Sequence, residues 1–364
     1  MSKSPTSYSD LADRVVRHYK KTKRDLPWRK NRAAYKVWIS EIMLQQTRVA
    51  AVIPYYERWF NRFPTVEALA NAPLDDVLAH WSGLGYYSRA RNIHTSAKEL
   101  HQHYGGQLPQ DAKELRSLPG IGRYTAGAIS SIAYGKREPL VDGNVARLLS
   151  RVFEIEEDIK STSAIKQLWE LCTKMVPAGS PGEFNQGLME LGALVCLPKN
   201  PKCGHCPLEP VCLAHAHDRT GELPVQAKRK KDSDKPLLER DALFVIRRGK
   251  ILLAHRVPKG LFGGLWELPQ TPSRPELAGL LSLSLSFHGK KPGMVHSQVL
   301  SHRRLCIRVW PASAEGRTKL AASTSYQALK WYPLSQLTTL GISSASKAIF
   351  QNIAELRAIN REQQ

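Results

Sequence analysis

The chain has 364 residues with 42% hydrophobic content, enough for two or three domains with packed cores. Lysine and arginine number 53 against 32 acidic residues, and the resulting charge of +21 calls for a polyanionic partner, either nucleic acid or an anionic surface. No segment approaches about eighteen uninterrupted apolar residues, so no spanning helix is expected, and in the polar start from Met1 to Asp10 no secretory signal is visible.

Residues 11 to about 215 read as mostly helical, with loops marked by Pro and Gly. In Lys36 to Val49 the residues Val37, Trp38, Ile39, Ile42, Met43 and Leu44 leave little polar face, so a buried helix is expected there. Glu41 in its middle is anomalous. A buried carboxyl holds its proton near neutrality and is a candidate general acid; pairing with Arg29 or Arg89 is the structural alternative. Further on, Gly83-Leu84-Gly85-Tyr86-Tyr87 and Gly120-Ile121-Gly122-Arg123-Tyr124 share G-x-G-x-Y at an offset of 37 residues. A helix is expected to end near Leu118 and another to start near Arg123. Between them Gly120 and Gly122 allow a tight turn with positive φ. Such a turn either makes an ordinary αα-hairpin or aims backbone N–H groups at a phosphate. Asp142 opens an amphipathic helix running to Phe153, with Val145, Leu148, Leu149, Val152 and Phe153 on one stripe. As the first residue it suits an N-cap.

Cys196, Cys203, Cys206 and Cys212 fall within seventeen residues as C-x6-C-x2-C-x5-C. Thiols this close in such a composition read as a metal site rather than as disulfides. A zinc knuckle and a [4Fe–4S] cluster compete: zinc sites usually pair two CxxC knuckles, whereas four successive thiolates in one loop suit a cubane. Cys172 and Cys306 read as reduced and packed. Residues 217–238, with the basic run Lys228-Arg229-Lys230-Lys231, read as a linker that could track a phosphate backbone. Beyond it, Ala242 to Arg247 and Lys250 to His255 flank Arg248-Gly249 as a hairpin. Glu276 to Leu285 reads as a helix, Val299 to Trp310 as β structure and Ser343 to Ile359 as a closing helix.

The cysteine spacing resembles the cluster loop of the endonuclease III superfamily of DNA glycosylases. The Leu118–Ile129 segment resembles that superfamily's helix-hairpin-helix, and Val141-Asp142-Gly143-Asn144-Val145 resembles its V-D-x-x-V motif. Glu41-Ile42-Met43-Leu44-Gln45-Gln46-Thr47 resembles a signature of one branch, the MutY adenine DNA glycosylases. Leu26-Pro27-Trp28-Arg29, Tyr35 to Trp38, Gly83 to Arg89, Phe184-Asn185-Gln186 and Leu191-Gly192-Ala193 follow the same branch in order. Gly264 to Pro269 resembles the opening of that branch's Nudix-like domain.

The resemblance implies a multidomain protein. An all-α helix-hairpin-helix glycosylase domain (1–216) would carry the cluster loop (196–212), followed by a basic linker (217–238) and an α+β Nudix-like 8-oxoguanine recognition domain (239–364). It implies a [4Fe–4S] cluster on the four cysteines, and adenine excision from 8-oxoguanine:adenine or guanine:adenine mispairs in duplex DNA. Glu41 would protonate adenine, ionised Asp142 would oppose charge on the sugar, and Tyr124 and Asn144 would order the site. Trp28 and Arg29 would line the base pocket and Gln186 would bond the adenine. Gln46, Thr47, Leu84 and Tyr86 would face the opposite base, and Gly120 and Gly122 would grip phosphate. Bifunctional relatives place a Schiff-base lysine where this chain has Tyr124, so no lysine-based lyase is expected. The family's acidic metal cluster is missing after Pro269, so no pyrophosphatase is expected. The family loop F-S-H reads Leu300-Ser301-His302 here, which keeps two polar groups and loses the aromatic contact. A non-secreted monomer is expected, cytoplasmic and nucleoid-associated in a bacterium. The rivals are a pyrimidine-lesion glycosylase with lyase activity and a non-catalytic zinc-bound DNA-binding protein.

Overall fold

A computed structural model describes residues 7–227, 231–281, 283–321 and 323–361. Lys228, Arg229 and Lys230 of the basic run lie outside the described residues. The chain forms two compact units: Met1–Ala70 with Thr95–Lys228, and Asn71–His94 with Arg229–Gln364. Among the described residues no helix is long and apolar enough to cross a membrane.

The first unit is helical. Tyr8–Thr22 starts where the Ser7 hydroxyl accepts the Asp10 N–H, and buries Leu11, Ala12, Val15, Val16 and Tyr19 on one face. Ala34–Leu44 buries every residue from Val37 to Met43, as its composition requires. It ends with the apolar run at Leu44; Gln46 then takes a positive φ of 57°, and a new helix, Val49–Arg62, follows. Arg123–Ile132 and Gly143–Val152 pack against Pro181–Leu194. Two glycines let that last helix approach its neighbours. A Cβ on Gly187 would lie 2.7 Å from Val15 Cγ1, and one on Gly192 would lie 2.7 Å from Asn144 Cβ.

The second unit carries two sheets. In the first, β1 (Leu237–Phe244) lies between β5 (Gln270–Thr271) and β8 (Arg304–Glu315), and both β6 (Ser284–Phe287) and β7 (Met294–Val299) pair with β8. The β1–β8 pair is parallel. In the second, β3 (Lys250–Arg256) pairs with β2 (Ile246–Arg247), β4 (Trp266–Glu267) and β9 (Tyr326–Pro333). Phe244, Ile251, Leu253, Trp266, Ile307 and Ile349 form part of one core, and Leu243, Val245, Leu252 and Leu281 part of another. Residues 71–94 join this unit through Ser82 and Tyr87, whose hydroxyls donate to the Ile342 carbonyl at 3.1 and 2.6 Å.

Four elements differ from the sequence expectation. The run Ala242 to Arg247 splits at Val245 into β1 and β2, which lie in different sheets. Its residues are apolar because they feed both cores, not because they form one strand. The expected helix Glu276 to Leu285 stops at Leu281, and Ser284–Phe287 is a strand pairing with Ala312–Glu315. Val299 belongs to β7 and the strand expected up to Trp310 begins at Arg304, because a turn occupies the residues between. The closing helix breaks at Asn352, whose side chain bonds the Ala348 carbonyl, into Ser344–Gln351 and Ile353–Arg361.

Candidate active site

In the first unit Glu41, Asp142, Tyr124, Asn144, Trp28, Arg29, Gln186, Gln46 and Thr47 all line one open cavity of about 640 Å³. Glu41 is 6% exposed. Its Oε2 accepts the Tyr124 hydroxyl at 2.5 Å. Burial raises the Glu41 carboxyl to about 7, and the nearby Asp142 charge adds to the rise, against the Tyr124 hydrogen bond and the Arg29 charge. The two arginines considered as partners for Glu41 are engaged elsewhere. Arg29 donates to Glu190 at 2.6 Å, and Arg89 donates to the Leu84 and Gly85 carbonyls.

Asp142 caps Gly143–Val152. One carboxylate oxygen accepts the Asn144 and Val145 N–H groups at 3.0 and 2.7 Å, and the other accepts the Asn144 side chain at 3.1 Å. Burial outweighs these donors and the charge of Arg147, so the Asp142 pKa is raised from the ordinary carboxylate value. All three of these bonds are donated to the carboxylate, which is the environment of an anion at a helix N-terminus. Burial raises both carboxyl groups in the cavity, Glu41 to about 7, and of the two it is Asp142 that meets three donors.

The pocket wall has a second layer. Burial would raise the Glu190 carboxyl, but hydrogen bonds from Arg24 and Arg29 hold it down at about 2. Asn144 Oδ1 accepts from Arg147, whose Nε donates to the Cys196 carbonyl at 2.8 Å, so the site is bonded directly to the cysteine loop.

Between Ala112–Ser117 and Arg123–Ile132 the hairpin turns at Gly120, with φ of 81°. Gly122 does not need positive φ: at −85° it is extended and serves as N-cap, with no side chain capping the helix. The first-turn N–H groups are thereby left for a ligand.

The four cysteines line a separate small cavity. Arg151, 2% exposed, donates to Cys196 Sγ at 3.3 Å and to the Leu197 and Pro198 carbonyls, which pins the loop. All four thiols are free, and among the described residues no three His, Cys, Asp or Glu side chains group so as to hold a single metal ion. Four sulfur donors around one cavity, with a buried guanidinium on one of them, suit a thiolate-held group carrying negative charge. Cys172 is also free and buried; Cys306 is free and half-buried on β8.

In the second unit the Tyr86 hydroxyl lies 2.6 Å from Ser301 Oγ. Leu300 packs on the larger core, while Ser301 and His302 are exposed. Leu84 is buried.

Residues 39–174 match the HhH-GPD superfamily of base excision DNA repair proteins, and residues 242–352 match the NUDIX domain. An adenine DNA glycosylase of Rattus norvegicus is 37% identical over 98% of this chain and 82% of its own length. The chain belongs to the adenine DNA glycosylase family. A Homo sapiens adenine DNA glycosylase is 37% identical over 92% of this chain and 72% of its own. A solved thermostable thymine-DNA glycosylase superposes with a TM-score of 0.53 at 30% identity, covering 58% of this chain and 97% of that one.

Within this adenine DNA glycosylase family member, sequence reasoning missed Tyr19, Glu190, Arg147, Arg151 and Met189, which lines the cavity with its Sδ 3.2 Å from the Tyr124 hydroxyl. Glu190 had a local signal: it lies four residues after Gln186 on one helix and so faces the same way. Tyr19 had none, since its partner is 167 residues away.

Proposed function

We propose that this chain is a monofunctional adenine DNA glycosylase that hydrolyses the N-glycosidic bond of adenine opposite 8-oxoguanine or guanine in duplex DNA. The observation that carries the reading is Glu41: a buried carboxyl, protonated near neutrality, in the same cavity as a donor-held Asp142. A cavity of about 640 Å³ has room for a purine turned out of the helix. Glu41 gives its proton to N7 of the base. The C1′–N9 bond then breaks, with its electron pair leaving on adenine. Asp142, as the anion, opposes the oxocarbenium-like charge on the sugar, and a water adds at C1′ and loses its proton. Asn144 and Tyr124 order this end of the cavity. By the resemblance, Tyr124 stands at the position of the lyase lysine; a phenol forms no imine, so the abasic product keeps its strand.

The polyanionic partner called for by the charge of +21 is duplex DNA. The Gly120–Gly122 turn and the uncapped helix behind it take a phosphate. By the resemblance, Gln46, Thr47, Leu84 and Tyr86 would face the base opposite adenine, and Ser301 and His302 would sense its 8-oxo group. Leu300, packed on the core, contributes shape rather than an aromatic stack. Cys196, Cys203, Cys206 and Cys212 would hold a [4Fe–4S] cluster, which supplies a rigid, charged centre for the loop; Arg151 and Arg147 tie that loop to the helix bearing Asn144.

The test is single-turnover excision from duplexes that differ only in the base opposite adenine. Release should be fastest opposite 8-oxoguanine, slower opposite guanine and slowest opposite cytosine, with no borohydride-trapped imine. No adenine release from any of them would overturn the reading. For the loop, the purified protein should absorb broadly in the visible; a colourless protein containing zinc would assign the knuckle instead.

A further inference from the structure

Gln186 reaches the cavity from Pro181–Leu194, and a carboxamide can sit in either of two orientations that differ only by exchange of oxygen and nitrogen. Here the choice is forced. The Gly182 carbonyl can only accept, and it lies 3.1 Å from one end of the amide, so that end is Nε2. The other end, Oε1, then faces the Tyr19 hydroxyl at 2.9 Å, and the phenol must donate. Tyr19 is 2% exposed, and burial raises its pKa, which keeps the donor proton in place. The base of the side chain packs on Gly187, where a Cβ would lie 3.1 Å from Tyr19 Cβ, and the Arg29 guanidinium sits 5.3 Å from the ring centre. Gln186 lines the cavity, and with one N–H and one lone pair committed in fixed order it keeps one N–H and one lone pair for a base there. That order matches a base edge with an acceptor beside an amino donor, as in adenine. Hypoxanthine and guanine carry an N–H beside a carbonyl at the same place, the reverse order.

We propose that Tyr19 is a positioning residue for base selection, holding the Gln186 carboxamide in the order that the Gly182 carbonyl sets, so that the cavity takes 6-amino and rejects 6-oxo purines. This rests on the glycosylase reading above.

The test compares the full chain with Tyr19→Phe, which keeps the ring, its packing and the guanidinium contact. Single-turnover excision is measured on duplexes carrying adenine or hypoxanthine opposite 8-oxoguanine. The adenine-to-hypoxanthine rate ratio should fall roughly two- to tenfold, the factor one neutral hydrogen bond supports. In a Gln186→Leu background the same change should leave the ratio where it was, since the group being positioned is gone. A general structural role for Tyr19 would slow both substrates alike. An unchanged ratio in Tyr19→Phe, or the same drop in both backgrounds, overturns the proposal. If wild type releases adenine normally and only the ratio fails to move, the glycosylase reading stands and this inference falls; if wild type releases no adenine, both fall. Should Tyr19→Phe not fold, a ring-fluorinated tyrosine at position 19 strengthens the donor, and an unmoved ratio there overturns the proposal equally.

Discussion

At 6% exposure the Glu41 carboxyl takes its proton near neutral pH, and that affinity sets the range over which it can serve as an acid. The protonated form dominates below about 7 and is lost above it, so the single-turnover rate should fall about tenfold per unit above 7, and fall again at acid pH as Asp142 takes up a proton. A profile that rises through neutrality would contradict the assignment. Glu41→Gln should fold and bind mispaired DNA, yet excise adenine at least about a hundredfold more slowly. The same carboxyl has a stability signature. Its folded value is near 7 and the ordinary one is 4.5, so the native state holds more proton between them. The stability this contributes is complete below about 4.5 and is lost as pH rises through 7. Glu41→Gln removes that slope. Chemical denaturation should therefore show the variant gaining on wild type as pH rises through this window.

Among the elements, the hairpin makes a contrast that a pair of single substitutions can read. Gly120 has φ of 81°, whereas Gly122 is at −85° and a Cβ there would meet no atom within 4 Å. Gly120→Ala should cost about 1 kcal/mol or more and weaken DNA binding, while Gly122→Ala should be near neutral in thermal melts. Arg147, on the helix capped by Asp142, joins Asn144 to the Cys196 carbonyl. Arg147→Met should therefore lower both excision and visible absorbance per chain; loss of one without the other would separate the loop from the site. These elements also mark what the sequence could reveal. Glu41 was legible because a charge inside an apolar helix is rare, and Asp142 because a helix start has its own residue preferences. The two sheets were less legible. The run from Ala242 to Ile246 is apolar on both sides of the break at Val245, and periodicity carries no sign of which sheet each strand joins. The bonds from Tyr19 to Gln186 and from Arg24 and Arg29 to Glu190 join residues 161 to 167 apart, which no local pattern encodes.

For the molecule as a whole, the second unit is assembled from two stretches of chain, with residues 71–94 packed among elements that begin after residue 228. Val77, Leu78, Trp81 and Tyr87 are all buried, and Leu78 lies against Gly341. A chain ending at residue 228 keeps the cavity and the four cysteines but strips the cover from this segment. Limited proteolysis should then cut first within 71–94, and the melting temperature should drop, even though the groups of the adenine cavity remain. A truncated chain that resists cleavage there would show that the segment stands without its partners. On the ribosome the same arrangement imposes a wait. Tyr87 is synthesised 255 residues before Ile342, whose carbonyl its hydroxyl bonds. At roughly 5–20 residues per second, that leaves an apolar segment without its cover for roughly ten to fifty seconds. A protein built this way makes part of its second unit long before the rest of that unit exists, and depends during the interval on whatever in the cell shelters unfinished chains.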